Sequence, residues 1–317
     1  MKKALITGIS GFVGSHLAEH LLSKGFEVHG TIRPRSRREN IKHIESKLKL
    51  FDVDIKEEHS IMRVLKESKP DYIFHLAAQS FVPTSFSAPQ ETINTNVNGT
   101  ISVLEAVREL NLDSVIQIAG SSEEYGIVFL NELPIEETNL FRPVNPYGVS
   151  KVGQDLVAAG YYNSYKIKSI VTRAFNHTGP RHGEQFVTSN FAKQIAEIES
   201  GKRKPIIKVG NLDAWRDFTD VRDIVRAYTL AVEMCDPGEA YNICSEKAHS
   251  IKELLNMLIS LSKNEIIIEQ DPARMRPSDN EVIQGDCSKF REKTGWRPEI
   301  PLKKTLEDLL NYWRELV

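Results

Sequence analysis

The sequence has few cysteines, and their arrangement suggests neither a disulfide framework nor a metal centre. The three cysteines are odd in number and lack the C-x-x-C spacing of metal-binding and redox motifs. We therefore expect no metal site and three reduced, mostly buried thiols, at Cys235, Cys244 and Cys287.

The sequence also lacks a long apolar run and a strong excess of charge. No run approaches the length of about 18 apolar residues that crosses a bilayer, and the strand-like segment that starts at Lys3 leaves no room for a signal peptide. The formal net charge is −2, so the chain has no general attraction to phosphate polymers or anionic lipid. We expect a cytoplasmic protein without nucleic-acid or membrane partners.

What the sequence does contain is the composition of an ordinary globular protein, with 40% hydrophobic and 26% charged residues among 317. This length favours one large domain with a smaller one attached. β-Branched runs alternate with helical periodicity in the first half, as in repeated βα units that build a parallel sheet. Strands are predicted at Lys3–Thr7, Glu27–Arg33, Leu48–Val53, Tyr72–Leu76, Ser114–Ala119 and Ser169–Phe175.

The predicted fold class is α/β, with a doubly wound parallel-sheet Rossmann domain and a smaller mixed α/β substrate-binding lobe. The alternation of strands and helices is lost beyond Asn176. We expect residues 1–175 to form the Rossmann domain, completed by segments near 212–245. Residues 176–211 and 246–317 are expected to form the substrate-binding lobe.

A glycine-rich turn joins the first predicted strand to the first predicted helix. Glycines at such a turn let backbone N–H groups and the helix N-terminus approach a pyrophosphate, which a Cβ atom would prevent. The strand–turn–helix context makes this signal stronger than a glycine triplet alone. The expected dinucleotide contacts in the turn are Gly8, Gly11, Phe12, Val13 and Gly14.

The end of the second predicted strand favours NADP over NAD. An NAD-binding fold usually places a carboxylate there, on the ribose 2′-hydroxyl. This chain has Arg33 instead, and Arg35, Arg37 and Arg38 follow it. A guanidinium can pair with a 2′-phosphate, although a solvated basic loop would have the same composition.

Three side chains form a candidate catalytic group. Tyr147 and Lys151 are four residues apart on a predicted helix and therefore share a face. A nearby ammonium lowers the pKa of a phenol toward a range useful for proton transfer. Ser121 follows the strand predicted at Ser114–Ala119 and can hydrogen-bond the same substrate oxygen.

With the glycine turn, these three residues make the chain resemble the extended short-chain dehydrogenase/reductase superfamily over essentially its whole length. The resemblance implies that Tyr147 is the acid/base, that Lys151 lowers its pKa and holds the nicotinamide ribose, and that Ser121 orients the substrate. It also implies further cofactor contacts at Asp54, Ile55, Leu76, Ala77 and Ala78, and a structural or relay role for Asn96.

A further resemblance lies in five segments: Gln79–Val82, Asn176–Arg181, Phe186–Thr188, Gly210–Asp217 and Arg274–Ser278. They resemble the branch that contains GDP-mannose 4,6-dehydratase and GDP-4-keto-6-deoxymannose reductase. In the dehydratases a carboxylate at the position of Glu123 removes the C5 proton of a 4-keto sugar; the alternative is that Glu123 or Glu124 only accepts a structural hydrogen bond. Asp279 stands where a glutamate reaching the guanosine ribose is expected. The resemblance implies substrate contacts at Gln79, Ser80, Asn176, Val187, Lys193, Arg216, Arg276 and Asp279.

The sequence leaves the exact reaction open. A dehydratase that converts GDP-mannose to GDP-4-keto-6-deoxymannose is the preferred interpretation, and an NADPH-dependent C4 reductase of that product is the main alternative. A sugar-nucleotide 4-epimerase would use the same Tyr147 and Lys151. An inactive cofactor-binding relative is disfavoured because the glycine turn, the tyrosine and the lysine are all present. The resemblance also implies a homodimer or a homotetramer.

Overall fold

The main sheet has seven parallel strands, and a smaller mixed sheet lies beyond them. The computed structural model describes residues 1–274 and 281–317. The main sheet has the order β10-β6-β5-β4-β1-β2-β3. In chain order the strands are β1 (Lys3–Thr7), β2 (Glu27–Ile32), β3 (Lys49–Asp52), β4 (Tyr72–His75), β5 (Val115–Ala119), β6 (Ser169–Ala174), β7 (Asn176–Thr178), β8 (Ile206–Val209), β9 (Trp215–Asp220), β10 (Ala240–Ile243), β11 (Ala248–Ser250), β12 (Ile267–Gln270) and β13 (Val282–Ile283).

Helices cover both faces of the main sheet, because its strands are apolar on both sides. In β1, Ala4 and Ile6 join the core shared with α1 and α8, and Leu5 joins the core shared with α2 and α5. The helices are α1 (Phe12–Ser23), α2 (Glu58–Ser68), α3 (Val82–Ser87), α4 (Pro89–Ile93), α5 (Gly99–Glu109), α6 (Pro146–Tyr165), α7 (Val187–Glu199), α8 (Val221–Met234), α9 (Ile251–Ile259), α10 (Ser288–Thr294) and α11 (Leu302–Leu316). In the described part of the chain, none of them is both long and apolar enough to cross a membrane.

The strand order confirms the predicted α/β fold class. Starting from β1, the chain winds outward through β2 and β3 and then returns to β4 on the other side of β1. Ligands in such sheets bind at the carboxyl ends of the strands, next to this reversal. A ligand site is therefore expected at the loops that follow β1, β4 and β5.

The smaller lobe contains most of the chain beyond Asn176. β9 pairs with β7, β11 and β13, and β8 pairs with β12. Helices α7, α9 and α11 pack together around a separate apolar core that includes Phe191, Leu254 and Leu309.

The segment near 212–245 divides between the two sheets. α8 packs against α1, and β10 pairs with β6 at the edge of the main sheet, as expected for elements that complete the first domain. β9 lies instead in the smaller sheet, because its pairing partners are β7, β11 and β13.

Candidate active site

A cavity of about 1570 Å³ lies at the carboxyl ends of the main-sheet strands and extends to the smaller lobe. Pockets for a single drug-sized ligand measure roughly 300–1,000 Å³, so this larger cavity has room for a dinucleotide and a second ligand. The predicted cofactor-binding residues all line it: Gly8, Gly11, Phe12, Val13, Gly14, Arg33, Asp54, Ile55, Leu76, Ala77, Ala78, Tyr147 and Lys151.

The glycine turn leaves no space for side chains. Gly8 has a φ of +73°, and a Cβ there would lie 3.0 Å from Ala77 Cα. A Cβ on Gly14 would lie 2.4 Å from the Gly8 carbonyl oxygen. Helix α1 follows Gly11 and has no side-chain cap, so its first N–H groups remain available to an anionic ligand. The turn therefore fits a pyrophosphate.

A buried threonine and histidine hold the next wall of the cavity. Thr7 Oγ1 accepts hydrogen bonds from the N–H groups of Leu76 and Ala77, both at 3.1 Å. The same hydroxyl lies 3.0 Å from His75 Nδ1, and His75 Nε2 lies 3.1 Å from Thr100 Oγ1. Burial lowers the pKa of His75 to about 3, so the ring is neutral. These bonds fix β4 against β1 beneath the cofactor.

The basic end of the cavity lies beside β2. Arg33 is exposed there and lines the cavity together with Ser36 and Lys56. Lys56 Nζ lies 2.9 Å from Glu91 Oε1, whereas Arg38 forms ion pairs with Glu45 and Asp52. Arg33 therefore stands at the edge of the cavity where the sequence predicts a 2′-phosphate.

The fold brings the three candidate catalytic residues together. Asn145 caps α6 by accepting a 2.7 Å hydrogen bond from the Gly148 N–H. Tyr147 lies on the first turn, beside Ser121, whose side chain acts to lower the pKa of the phenol. One turn later, the Lys151 ammonium donates to the Ala119 carbonyl at 2.8 Å and lies 5.7 Å from the centre of the Tyr147 ring.

The expected lowering of the Tyr147 pKa is not found in the ligand-free site. Burial raises the pKa of Tyr147, and the hydrogen bond from Ser121 opposes this rise only in part. Burial also lowers the pKa of Lys151 to about 8. The sequence-based expectation was wrong in direction because the cost of burying a phenolate exceeds the effect of the neighbouring groups.

The two adjacent glutamates after β5 point in different directions. Glu123 lines the cavity, and its Oε2 accepts a 2.8 Å hydrogen bond from Asn145 Nδ2. Glu124 is fully buried, and its Oε1 accepts a 2.6 Å hydrogen bond from the Ser121 N–H. The 3₁₀ turn Ser122–Glu124 produces this separation. Glu123 is therefore the carboxylate available to a ligand.

The structure places only some of the predicted substrate residues on the cavity. Ser80, Asn176, Val187 and Arg216 line it. Gln79 and Lys193 are not among the described lining residues. Arg276 and Asp279 lie outside the described residues.

The two substrate residues off the cavity are held by other partners. Gln79 Nε2 donates to Thr92 Oγ1 at 3.0 Å, and its backbone N–H donates to Asn96. Asn96 accepts that bond through its side-chain oxygen and donates to Ser150. Lys193 forms ion pairs with Glu184 and Glu197. The substrate contacts of Gln79 and Lys193 were implied by resemblance alone and stay predictions.

Several lining residues were not identified from the sequence. The His182 ring stacks on Phe12 and on Phe186, in both cases with a centroid distance of 4.3 Å. His177 and Arg274 line the cavity as well. The segments that carry these residues resemble the family, but their ring contacts depend on the meeting of the two lobes.

This fold, with a glycine turn, a Ser–Tyr–Lys group and a second lobe over the same cavity, defines an extended short-chain dehydrogenase/reductase. The sequence profile of the family described as GDP-mannose 4,6 dehydratase matches residues 5–309. The chain therefore belongs to the GDP-mannose 4,6-dehydratase family.

Individual relatives include two different activities. The chain is 32% identical to the GDP-6-deoxy-D-mannose reductase of Pseudomonas aeruginosa, covering 100% of this chain and 98% of the relative. It is 33% identical to a GDP-mannose 4,6-dehydratase of Vibrio cholerae, covering 98% of this chain and 93% of the relative.

The solved structures of other enzymes show the same fold. RMD from P. aeruginosa, complexed with NADPH, superposes with a TM-score of 0.87 at 31% identity over 100% of both chains. The Thermus thermophilus UDP-glucose 4-epimerase, in complex with NAD, gives a TM-score of 0.88 at 28% identity over 99% of this chain and 100% of the other.

Proposed function

We propose that this enzyme is an NADP-dependent GDP-mannose 4,6-dehydratase that forms GDP-4-keto-6-deoxymannose. The observation that carries the proposal is the position of Glu123, whose carboxylate lines the same cavity as Ser121 and Tyr147. Dehydration needs a group that removes the proton from C5 and assists loss of the C6 hydroxyl. Simple C4 oxidation or reduction needs no such group.

Tyr147, Ser121 and Lys151 act at the C4 oxygen. The Ser121 side chain acts to lower the pKa of the Tyr147 phenol, so both groups can contact a sugar hydroxyl at the same point. The Tyr147 phenolate takes the hydroxyl proton during oxidation of C4, and the Lys151 ammonium favours this ionised form before the transfer. When bound, NADP would supply the hydride acceptor at C4 and, after reduction, the hydride that returns to C6.

Glu123 acts at C5 and C6 of the sugar, where water is eliminated. Oxidation at C4 makes the C5 proton acidic, and the Glu123 carboxylate accepts it. The resulting acid then donates a proton to the C6 hydroxyl, which leaves as water. Asn145 holds this carboxylate through its 2.8 Å hydrogen bond and thereby keeps it oriented toward the cavity. One residue thus works first as a base and then as an acid.

The cavity suits the phosphorylated cofactor and a nucleotide-sugar. Arg33 provides a guanidinium at the end where a 2′-phosphate is expected, and Arg216 lines the opposite part of the cavity. A guanidinium matches phosphate oxygens in a two-bond geometry. We propose that Arg33 contacts the cofactor and that Arg216, with Asn176 and Val187, contacts the diphosphate of the substrate.

The second candidate is a GDP-4-keto-6-deoxymannose reductase. The chain covers 98% of the Pseudomonas reductase but only 92–93% of the dehydratases of Vibrio cholerae and Cricetulus griseus, so its length matches the reductase more closely. A reductase would use Tyr147 to donate a proton to the C4 oxygen and would consume one NADPH per turnover.

Two assays on the same preparation separate the candidates. A dehydratase incubated with GDP-mannose and a catalytic amount of NADP forms the 4-keto-6-deoxy product without net cofactor reduction. A reductase instead oxidises NADPH when given that product. Consumption of neither substrate, with C4 epimerisation of another sugar nucleotide, would contradict both assignments and favour a 4-epimerase.

Glu123→Gln tests the residue on which the choice depends. We expect the variant to lose about 10²- to 10⁴-fold in dehydration, because a positioned acid/base contributes that much. Exchange of the C5 proton with solvent should fall in parallel. Glu136→Gln, which removes an exposed carboxylate from a following loop, is the matched control. Undiminished dehydration by Glu123→Gln would refute the role of Glu123.

We also propose that the protein is cytoplasmic and forms a homodimer or homotetramer. Its three cysteines are free and buried, which is consistent with a reducing compartment. For the oligomer, α6 carries the exposed apolar side chains Val149 and Leu156, which are 47% and 59% accessible. Burial of such residues against a second copy would be favourable. Light scattering at several concentrations measures the assembly, and a monomer at all of them would contradict this part of the proposal.

A further inference from the structure

A buried group of charges lies directly behind the catalytic turn. Glu124 accepts the Ser121 N–H at 2.6 Å, and its second oxygen lies 3.4 Å from Arg173 Nε. The same nitrogen lies 2.8 Å from Asp155 Oδ2. Arg173 also donates to the Tyr125 hydroxyl and to the Glu137 carbonyl. Glu124 is 0% exposed, and Asp155 and Arg173 are each 6% exposed.

The charges within this group do not balance by themselves. Two carboxyl groups face one guanidinium, so the buried region holds one excess negative charge when both carboxyl groups are ionised. Lys151 is 2% exposed and lies one helical turn before Asp155 on α6. The Ala119 carbonyl that accepts its 2.8 Å hydrogen bond comes just before Gly120, where a Cβ would lie 2.8 Å from Glu124 Oε1.

The electrostatic effects agree with this geometry. Burial lowers the pKa of Lys151 to about 8, and the Glu124 carboxylate acts in the opposite direction. Burial and Asp155 together raise the pKa of Glu124 to about 8. His75, on the β4 side, has a pKa lowered to about 3 and contributes no charge. The charged or titratable groups around Lys151 and Glu124 include Tyr125, Tyr147, Asp155, Arg173 and the neutral His75.

We propose that Glu124 is a positioning residue of this active site, which fixes the Ser121 backbone and, in its ionised form, serves as the buried counter-charge that keeps Lys151 an ammonium. Arg173 and Asp155 hold the Glu124 side chain in place. The inference rests on the proposed function, because Lys151 matters only if Tyr147 transfers a proton. The two adjacent glutamates then have different roles. Glu123 reacts with the substrate, whereas Glu124 positions Ser121 and stabilises the charge of Lys151.

Two substitutions separate the hydrogen bond from the charge. Glu124→Gln keeps an oxygen that accepts the Ser121 N–H but removes the charge, and Glu124→Met removes both. We expect Glu124→Gln to lower kcat about tenfold near pH 8 with little change in KM, and to recover as the pH falls, because Lys151 then regains its proton. Glu124→Met should not recover. Glu132→Gln, which breaks an outer ion pair with Arg142, is the matched control.

A direct titration of Lys151 does not depend on turnover. In protein labelled with ¹³C at lysine Cε, the resonance missing from Lys151→Arg reports the ammonium. Glu124→Gln should move its midpoint to lower pH by about one unit. An unchanged midpoint, or a Glu124→Gln variant with the native pH profile, would overturn the proposal.

The remaining outcomes are also decisive. A shifted Lys151 midpoint in a protein without dehydratase or reductase activity would support the role of Glu124 and refute the proposed function. If Glu124→Gln does not fold, native protein labelled at glutamate Cδ is titrated instead. A carboxyl inflection that coincides with that of Lys151 supports the pairing, and separate inflections refute it.

Discussion

The native protein should lose more stability in mild acid than a variant in which glutamine replaces the buried His75. His75 is 1% exposed and lies between Thr7 and Thr100. Burial lowers its pKa to about 3 from an ordinary value of 6.5. The unfolded chain therefore takes up a proton below about pH 6.5, whereas the folded protein does not until about pH 3. Stability from this residue is complete above pH 6.5 and declines as the pH falls toward 3.

The size of the effect follows from the difference in proton uptake. Between about pH 7 and about pH 5, protonation of one unfolded histidine lowers the free energy of the unfolded state by about 2 kcal/mol. The native protein should lose this amount in addition to what His75→Gln loses. His16 and His182, whose pKa values burial also lowers, are present in both proteins and cancel.

Urea unfolding at the two pH values measures the difference. Linear extrapolation gives the free energy of unfolding of each protein, and the four values form a cycle. His59→Gln, which alters an exposed histidine of α2, should behave like the native protein. Equal acid losses in the native protein and His75→Gln would show that the ring does not remain neutral in the fold.

Three other substitutions test separate parts of the structure. Arg33→Ala should weaken NADP binding by tenfold or more while NAD binding changes little, as measured by fluorescence titration; equal losses would contradict a 2′-phosphate contact. Gly14→Ala should cost about 1–3 kcal/mol in unfolding free energy and impair cofactor binding, because its Cβ meets the Gly8 carbonyl; unchanged binding would argue against a tight turn. Trp296→Ala should cost about 3–5 kcal/mol in urea unfolding, since this side chain is 1% exposed and donates to the Asp223 carbonyl; a loss below about 1 kcal/mol would mean that the site collapses around the change.

Local sequence patterns were sufficient to predict strands of the main sheet. The strand predicted at Lys3–Thr7 is found with the same limits, and the one predicted at Ser169–Phe175 ends one residue earlier. Apolar runs between turn residues specify such strands because both faces of the sheet are covered. The glycine turn was equally predictable, since its position between a strand and a helix defines its geometry.

The site was less predictable where contacts join distant segments. The alternative open for Ser121-Ser122-Glu123-Glu124 was that a glutamate only accepts a structural hydrogen bond. Both carboxylates accept one, but Glu124 is fully buried whereas Glu123 also lines the cavity. Their opposite directions depend on one short 3₁₀ turn. The raised pKa of Tyr147 reflects burial by several elements, which spacing along α6 does not reveal.

The stacked rings of Phe12, His182 and Phe186 have a consequence for how long the cofactor stays bound. Phe12 follows the glycine turn, and Phe186 precedes α7 of the smaller lobe. If the lobes separate to release the cofactor, the contact between Phe12 and His182, worth about 0.5–1.5 kcal/mol, must break, which would slow exit by roughly 2- to 13-fold. Slow exit suits an enzyme that regenerates its own oxidant within each catalytic cycle, because one cofactor molecule then serves many substrate molecules.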